Sequence, residues 1–133
     1  MLGGVGVLTV WLDAWQRQCC GEPFKVGSRV TWSLADATDD EFSRHVLPQG
    51  GPRISHREES HGNLPEGAPQ TTGAVRAIRV VTCRYAPPNG SDGRTLYPVA
   101  GSAELTVTWS ADGWEPEVDG RRFVGYVVEI ETG

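Results

Sequence analysis

Arg29-Val30-Thr31-Trp32-Ser33-Leu34 alternates polar and apolar side chains, and this stretch decides the fold class. Successive side chains of an extended chain point to opposite faces, so Val30, Trp32 and Leu34 share one face while Arg29, Thr31 and Ser33 share the other. A helix would instead space its apolar residues three and four apart. The segment is therefore a strand with one buried face, and related segments lie on both sides of it. Upstream, Val5 to Leu12 is an apolar, β-branched run without polar alternation, as in a strand covered on both faces. Downstream, Glu104 to Trp109 predicts a strand with Leu105, Val107 and Trp109 inward. Arg122 to Glu129, entered through the Asp119-Gly120 turn signal, predicts another that places Val124, Tyr126, Val128 and Ile130 on one face.

The intervening segments complete the pattern. Asp13 to Pro23, with Trp15 and Cys19-Cys20-Gly21, reads as an irregular connection. Thr38-Asp39-Asp40-Glu41 has the form of a capping box. It predicts a helix of about two turns, with Phe42 and Val46 on one face and Pro48 and Gly50-Gly51 ending it. Arg53 to Ser60 predicts a short polar strand at a sheet edge. Gly62 to Gly73, carrying Pro65, Gly67 and Pro69, predicts a long loop. In Ala74 to Tyr85 the residues Val75, Ile78, Val81 and Tyr85 match helical spacing, but the density of Val, Ile, Thr and Tyr favours a strand with a bulge near Ala77. Pro87 to Gly93 and Asp112-Gly113 mark further turns. Six strands and one short helix make a single mainly-β domain over residues 1–133. The expected architecture is a small antiparallel, partly open β-barrel, SH3-like or similar, and not a set of βαβ crossovers.

Composition agrees with many short elements, since the 133 residues include 17 Gly and 9 Pro. A formal charge of −5 argues against a general grip on nucleic acid or anionic lipid, because both depend on clustered Lys and Arg. Leu2 to Leu12 is apolar but lacks a positive flank and falls far short of the ~20 residues of a membrane span. The expectation is a cytoplasmic protein without membrane attachment. Three cysteines, an odd number, do not suit a disulfide framework and are read as free thiols.

Thr9-Val10-Trp11, Trp15-Gln16 and Cys19-Cys20-Gly21-x-Pro23-Phe24-x-Val26-Gly27-x-x-Val30-x-Trp32 resemble a family of small uncharacterised actinobacterial proteins. Thr72-Gly73-x-Val75-x-x-Ile78 is similar to its second signature. The resemblance spans most of the chain and implies a bacterial cytoplasmic protein of a domain-of-unknown-function family, with no activity or catalytic residue to transfer. The segment from Phe24 to Trp32 also resembles the entry strand of SH3-like barrels.

Three groups of residues are candidates for chemistry. Cys19 and Cys20, with Cys83, supply sulfur for a soft metal, redox sensing or covalent catalysis. Their spacing does not match structural zinc sites, and core packing is the competing reading. His56, Glu58 and His61 offer two imidazoles and a carboxylate for a metal such as zinc, against an exposed charged edge strand. Trp15 and Trp114, which fall in loops, could line an aromatic ligand groove with Tyr97, while Trp11, Trp32 and Trp109 fall on inward faces. Arg76, Arg79 and Arg84 form a stripe that a solvated strand face explains equally. No nucleophile elbow, phosphate loop or dinucleotide fingerprint is present.

The leading expectation is a non-catalytic module that binds a protein or small molecule through Trp15, Cys19, Cys20, Trp114 and Tyr97. The alternatives are a metal- or thiol-dependent enzyme or redox sensor using the Cys19/Cys20 and His56/His61 regions, and a structural subunit of a homo-oligomer.

Overall fold

The computed structural model describes residues 6–37, 40–59 and 69–133, without the side chain of Cys20. Along the chain run β1 (Gly6–Asp13), α1 (Ala14–Cys20), β2 (Phe24–Lys25), β3 (Arg29–Asp36), α2 (Glu41–Val46) and β4 (His56–Glu58). They are followed by β5 (Gln70–Cys83), β6 (Tyr85–Ala86), β7 (Tyr97–Pro98), β8 (Glu104–Thr108), β9 (Ser110–Ala111) and β10 (Arg122–Thr132).

Strand β10 pairs antiparallel with β1 from Gly6↔Thr132 to Asp13↔Gly125, and with β5 from Arg122↔Cys83 to Glu131↔Ala74. Those two ladders close a five-stranded barrel in the order β10-β1-β4-β3-β5, and β8 lies outside it on β5. The mainly-β barrel expected from the sequence is therefore present, with the ring closed and with β1 and β4 as a parallel pair. Among the described residues no helix is long and apolar enough to cross a membrane.

Two apolar clusters explain why β1 and β10 lack polar alternation. The first draws Val10, Leu12, Trp32, Ile78, Tyr126, Val128 and Ile130 together inside the barrel. The second packs Trp11, Val81, Cys83 and Val127 beneath Val46, Phe42 and Leu47 of the α2 region. Both strands are thus covered on two faces. A register shift between Phe123 and Gly125 breaks the expected common face of β10. Val124 falls in the second cluster while Phe123 packs against the first, because a bulge residue reverses the phase of the pleat. Gly125 follows at a contact that only glycine permits, since a Cβ there would sit 2.4 Å from the Leu12 carbonyl oxygen and 2.8 Å from the Trp11 ring. The irregularity expected near Ala77 is present too, for Val75 and Ala77 face the consecutive residues Ile130 and Glu129.

Several expectations are corrected. Asp13 to Pro23 contains the helix α1, which escapes an apolar-periodicity reading because its buried residues include Gln16 and Arg17. The α2 cap is Asp40, whose carboxylate accepts from the Ser43 amide at 2.9 Å. Thr38 and Asp39, the start of the expected capping box, lie outside the described residues, as do residues 60–68 of the expected long loop. The end of that loop, Gln70 to Gly73, is instead the start of β5, where it pairs with β3. β4 is not an edge strand: it is bracketed by β1 and β3, and Glu58 and Glu59 are buried. Val107 and Trp109 do not point inward. Each is 78 % exposed, because β8 lies outside a ring that β10 has already closed.

Candidate functional site

Asp13 ends β1 and immediately precedes α1, so the strand-to-helix corner carries a carboxylate at its vertex. Trp11 Nε1 donates to Asp13 Oδ1 at 2.8 Å, and Gln16 Nε2 donates to Oδ2 at 3.3 Å. The corner, α2, β6 and β10 surround a cleft of about 480 Å³. Its lining includes Asp13, Trp15 and Gln18 from the corner, Phe42 from α2, Tyr85 from β6 and Phe123 from β10. Four aromatic rings thus share a concavity with one carboxylate.

Burial pushes the Asp13 carboxyl above its ordinary range. The bonds from Trp11 and Gln16 offset part of this, and the nearby Asp40 and Glu59 carboxylates add to it by like-charge repulsion. Tyr85 is raised by burial and by neighbouring Cys83, against the Arg122 guanidinium, which lies 5.1 Å from the centre of the Tyr85 ring. A ring that lines the cleft therefore already holds a cation on one face.

Behind the cleft, α1 sends Arg17 into the barrel core. Its guanidinium carbon lies 5.7 Å from the ring centres of both Phe24 and Trp32, and Nη2 approaches Glu58 Oε2 at 3.4 Å. Gly21 lies so close that a Cβ would overlap the guanidinium. Arg57 pairs with Glu59 on the neighbouring stretch. Burial raises the Glu58 carboxyl, Arg17 lowers it, and Glu59 and Asp13 raise it further. The pair is loosely satisfied, since Arg17 Nε and Glu58 Oε1 have no hydrogen-bond partner. Tyr126 is better served: its hydroxyl accepts from the Gly113 amide at 2.9 Å and donates to Glu115 Oε2 at 2.7 Å, and burial pushes it well up from the ordinary tyrosine range.

Of the residues singled out from sequence, Trp15 lines the cleft and is half exposed. It stands on α1 and not in a loop. Trp114 and Tyr97 are exposed but are not part of that lining. Cys19 and Cys20 close α1; Cys19 is in a disulfide, contrary to the free-thiol reading, and Cys83 is a free, buried thiol that burial pushes up. His56 Nδ1 contacts Ser55 Oγ at 2.9 Å, Glu58 is engaged by Arg17, and His61 lies outside the described residues. Among the described residues no three His, Cys, Asp or Glu side chains gather as a metal site. Sequence reasoning missed Asp13, Tyr85 and Phe123 as site residues, and Phe42 was read only as sharing one face of its helix with Val46. The available signal was Asp13 itself, an acid directly between an apolar strand and the helix-compatible Ala14-Trp15-Gln16.

A model of a family of unknown function, DUF6578, matches residues 6–132. The chain belongs to this family. Its match spans the barrel, the cleft and the buried ion pairs together, so the site is built within the family's domain and not on an appended segment. No curated protein and no solved structure matches the chain significantly.

Two outcomes follow from these electrostatics. Arg17→Ala leaves Glu58 buried without its cation and lowers folding stability at neutral pH by about 3–5 kcal/mol in urea unfolding, whereas the double change Arg17→Met/Glu58→Leu recovers most of that loss. A single-mutant loss below about 1 kcal/mol would show that the pair contributes nothing. For Asp13, a folded-state pKa above the unfolded value means that the native state binds the extra proton. Its contribution is fully present below the unfolded pKa and is lost as pH rises through the folded one. Asp13→Asn should therefore flatten the fall in melting temperature between about pH 4 and neutrality, and an unchanged slope contradicts the assignment.

Proposed function

We propose that this chain is a non-catalytic binding module whose recognition site is the cleft at the β1–α1 corner. The observation that carries this reading is the lining: Trp15, Phe42, Tyr85 and Phe123 converge on one concavity of about 480 Å³. Ligand sites are commonly concave and mostly aromatic or apolar, with few polar groups to fix orientation. The titratable groups nearby are engaged in structural bonds: Asp13 with Trp11 and Gln16, Glu58 with Arg17, Glu59 with Arg57. Covalent catalysis would need an accessible nucleophile beside a base, and Cys83 is buried. The reading keeps Trp15 from the sequence-based proposal and replaces Trp114 and Tyr97 by Phe42, Tyr85 and Phe123.

A second reading, a homo-oligomer joined along β8, is favoured by one observation. β8 is an edge strand in which Val107, like Trp109 just beyond its end, is 78 % exposed, and such edges pair readily with a copy of themselves.

Indole, a neutral planar probe, tests the first reading by two-dimensional NMR. The expected result is saturable shifts confined to Asp13 to Gln18 and the lining rings, abolished by Trp15→Ala; shifts clustered at Trp109 or Trp114 instead, or none at millimolar indole, overturn it. Light scattering over a concentration series tests the second. A dimer dissociated by Trp109→Lys supports it, and a monomer at every concentration rejects it.

A further inference from the structure

We infer that the cleft is selective for an organic cation, a tertiary or quaternary ammonium head, seated among the four rings with Asp13 as its counter-charge; this rests on the cleft being the binding site. Three features point the same way. Trp15, Phe42, Tyr85 and Phe123 line one volume, and aromatic faces attract alkylated ammonium groups electrostatically. The same wall carries the carboxylate of Asp13.

The third feature is the local charge balance. Asp13 feels the Asp40 and Glu59 carboxylates, and Glu58 behind it feels Asp13 and Glu59 in turn. Against these four acids stand Arg17, paired with Glu58, and Arg57, paired with Glu59. Asp13 itself takes its two hydrogen bonds from the neutral donors Trp11 and Gln16. An anion would meet repulsion at the Asp13 wall and a neutral ring would leave the repulsion among the acids unrelieved. A cation relieves it. An alkylated head also suits the wall better than a bare ammonium, because Asp13 already receives two hydrogen bonds and offers charge more readily than a further directed bond. The cleft thus matches a soft, weakly hydrated cation that needs rings and a nearby negative charge.

Two probes of equal shape separate charge from shape: choline, and its neutral carbon analogue 3,3-dimethylbutan-1-ol. Both are titrated into the full chain, with the Trp15 indole resonance as readout and with Asp13→Asn and Trp15→Ala as variants. Asp13→Asn keeps an oxygen for the Trp11 donor while giving up the bond from Gln16, and a thermal melt checks that the variant folds. The expected result is that choline binds on the order of tenfold more tightly than the alcohol. Asp13→Asn should bring the choline-to-alcohol affinity ratio to about one, and Trp15→Ala should weaken both. Equal affinities for the two probes, or a choline preference that survives Asp13→Asn, overturn the cation assignment. If indole still binds in that case, the cleft stands as a binding site and only its charge preference is wrong. Failure of indole and both probes overturns the two readings together.

Discussion

β10 supplies hydrogen-bond donors and acceptors to two neighbours at once, and the remaining architecture depends on that double commitment. A strand paired on one edge would leave β1 or β5 with an open ladder, and open ladders invite pairing with other chains. Meeting both demands forces β10 to bend. It does so at Val124, where one residue is left without a partner on β5, and at Gly125, pressed between the Leu12 carbonyl and the Trp11 ring. The bulge sharpens twist and lets a short sheet curl onto itself. It also has a side effect on the surface, because the phase reversal delivers Phe123 and Val124 to the cleft from consecutive positions. The closure of the barrel and the wall of the candidate site thus share one irregularity.

How legible this was in the sequence varies with the kind of information each element needs. β3 was readable from its alternation and β1 from its unbroken apolar run, while β10 was readable as a strand but not in its facing, which the bulge at Val124 reverses. β8 shows the limit of that reading. Alternation says which residues share a face, but only topology says whether anything covers it, and β8 sits outside the closed ring with Val107, and Trp109 just beyond its end, bare. β4 failed for the opposite reason. A run such as His56-Arg57-Glu58-Glu59 signals exposure unless its charges are matched, and the partner of Glu58 is Arg17, 41 positions away.

The candidate site was only partly legible for the same cause. Trp15 stands out by composition, but Asp13, Phe42, Tyr85 and Phe123 come from four segments whose convergence depends on the pairing of β10 with β1 and β5. Cys19-Cys20 stands out in sequence even more strongly, yet Cys19 is not among the described lining residues. The rarest residues in a sequence mark where its chemistry is unusual, which need not be where a cavity opens.

The buried ion pair fits this picture as a device for register. β4 is three residues long and carries no apolar residue, so hydrophobic patterning cannot fix its position between β1 and β3. A one-residue slip would turn Arg57 inward and Glu58 outward, setting a guanidinium beside that of Arg17 within the core. Such a like-charge contact in a poorly solvated interior is far costlier than the loosely satisfied Arg17–Glu58 pair. The same pair anchors α1, because Arg17 lies on that helix and its guanidinium is clasped by Phe24, Trp32 and Gly21. With the Asp13 end of the corner tied to Trp11 and the Arg17 turn tied to the core, α1 is held at two points on either side of Trp15. The cleft then has a wall fixed by polar contacts at its back and an exposed ring at its front.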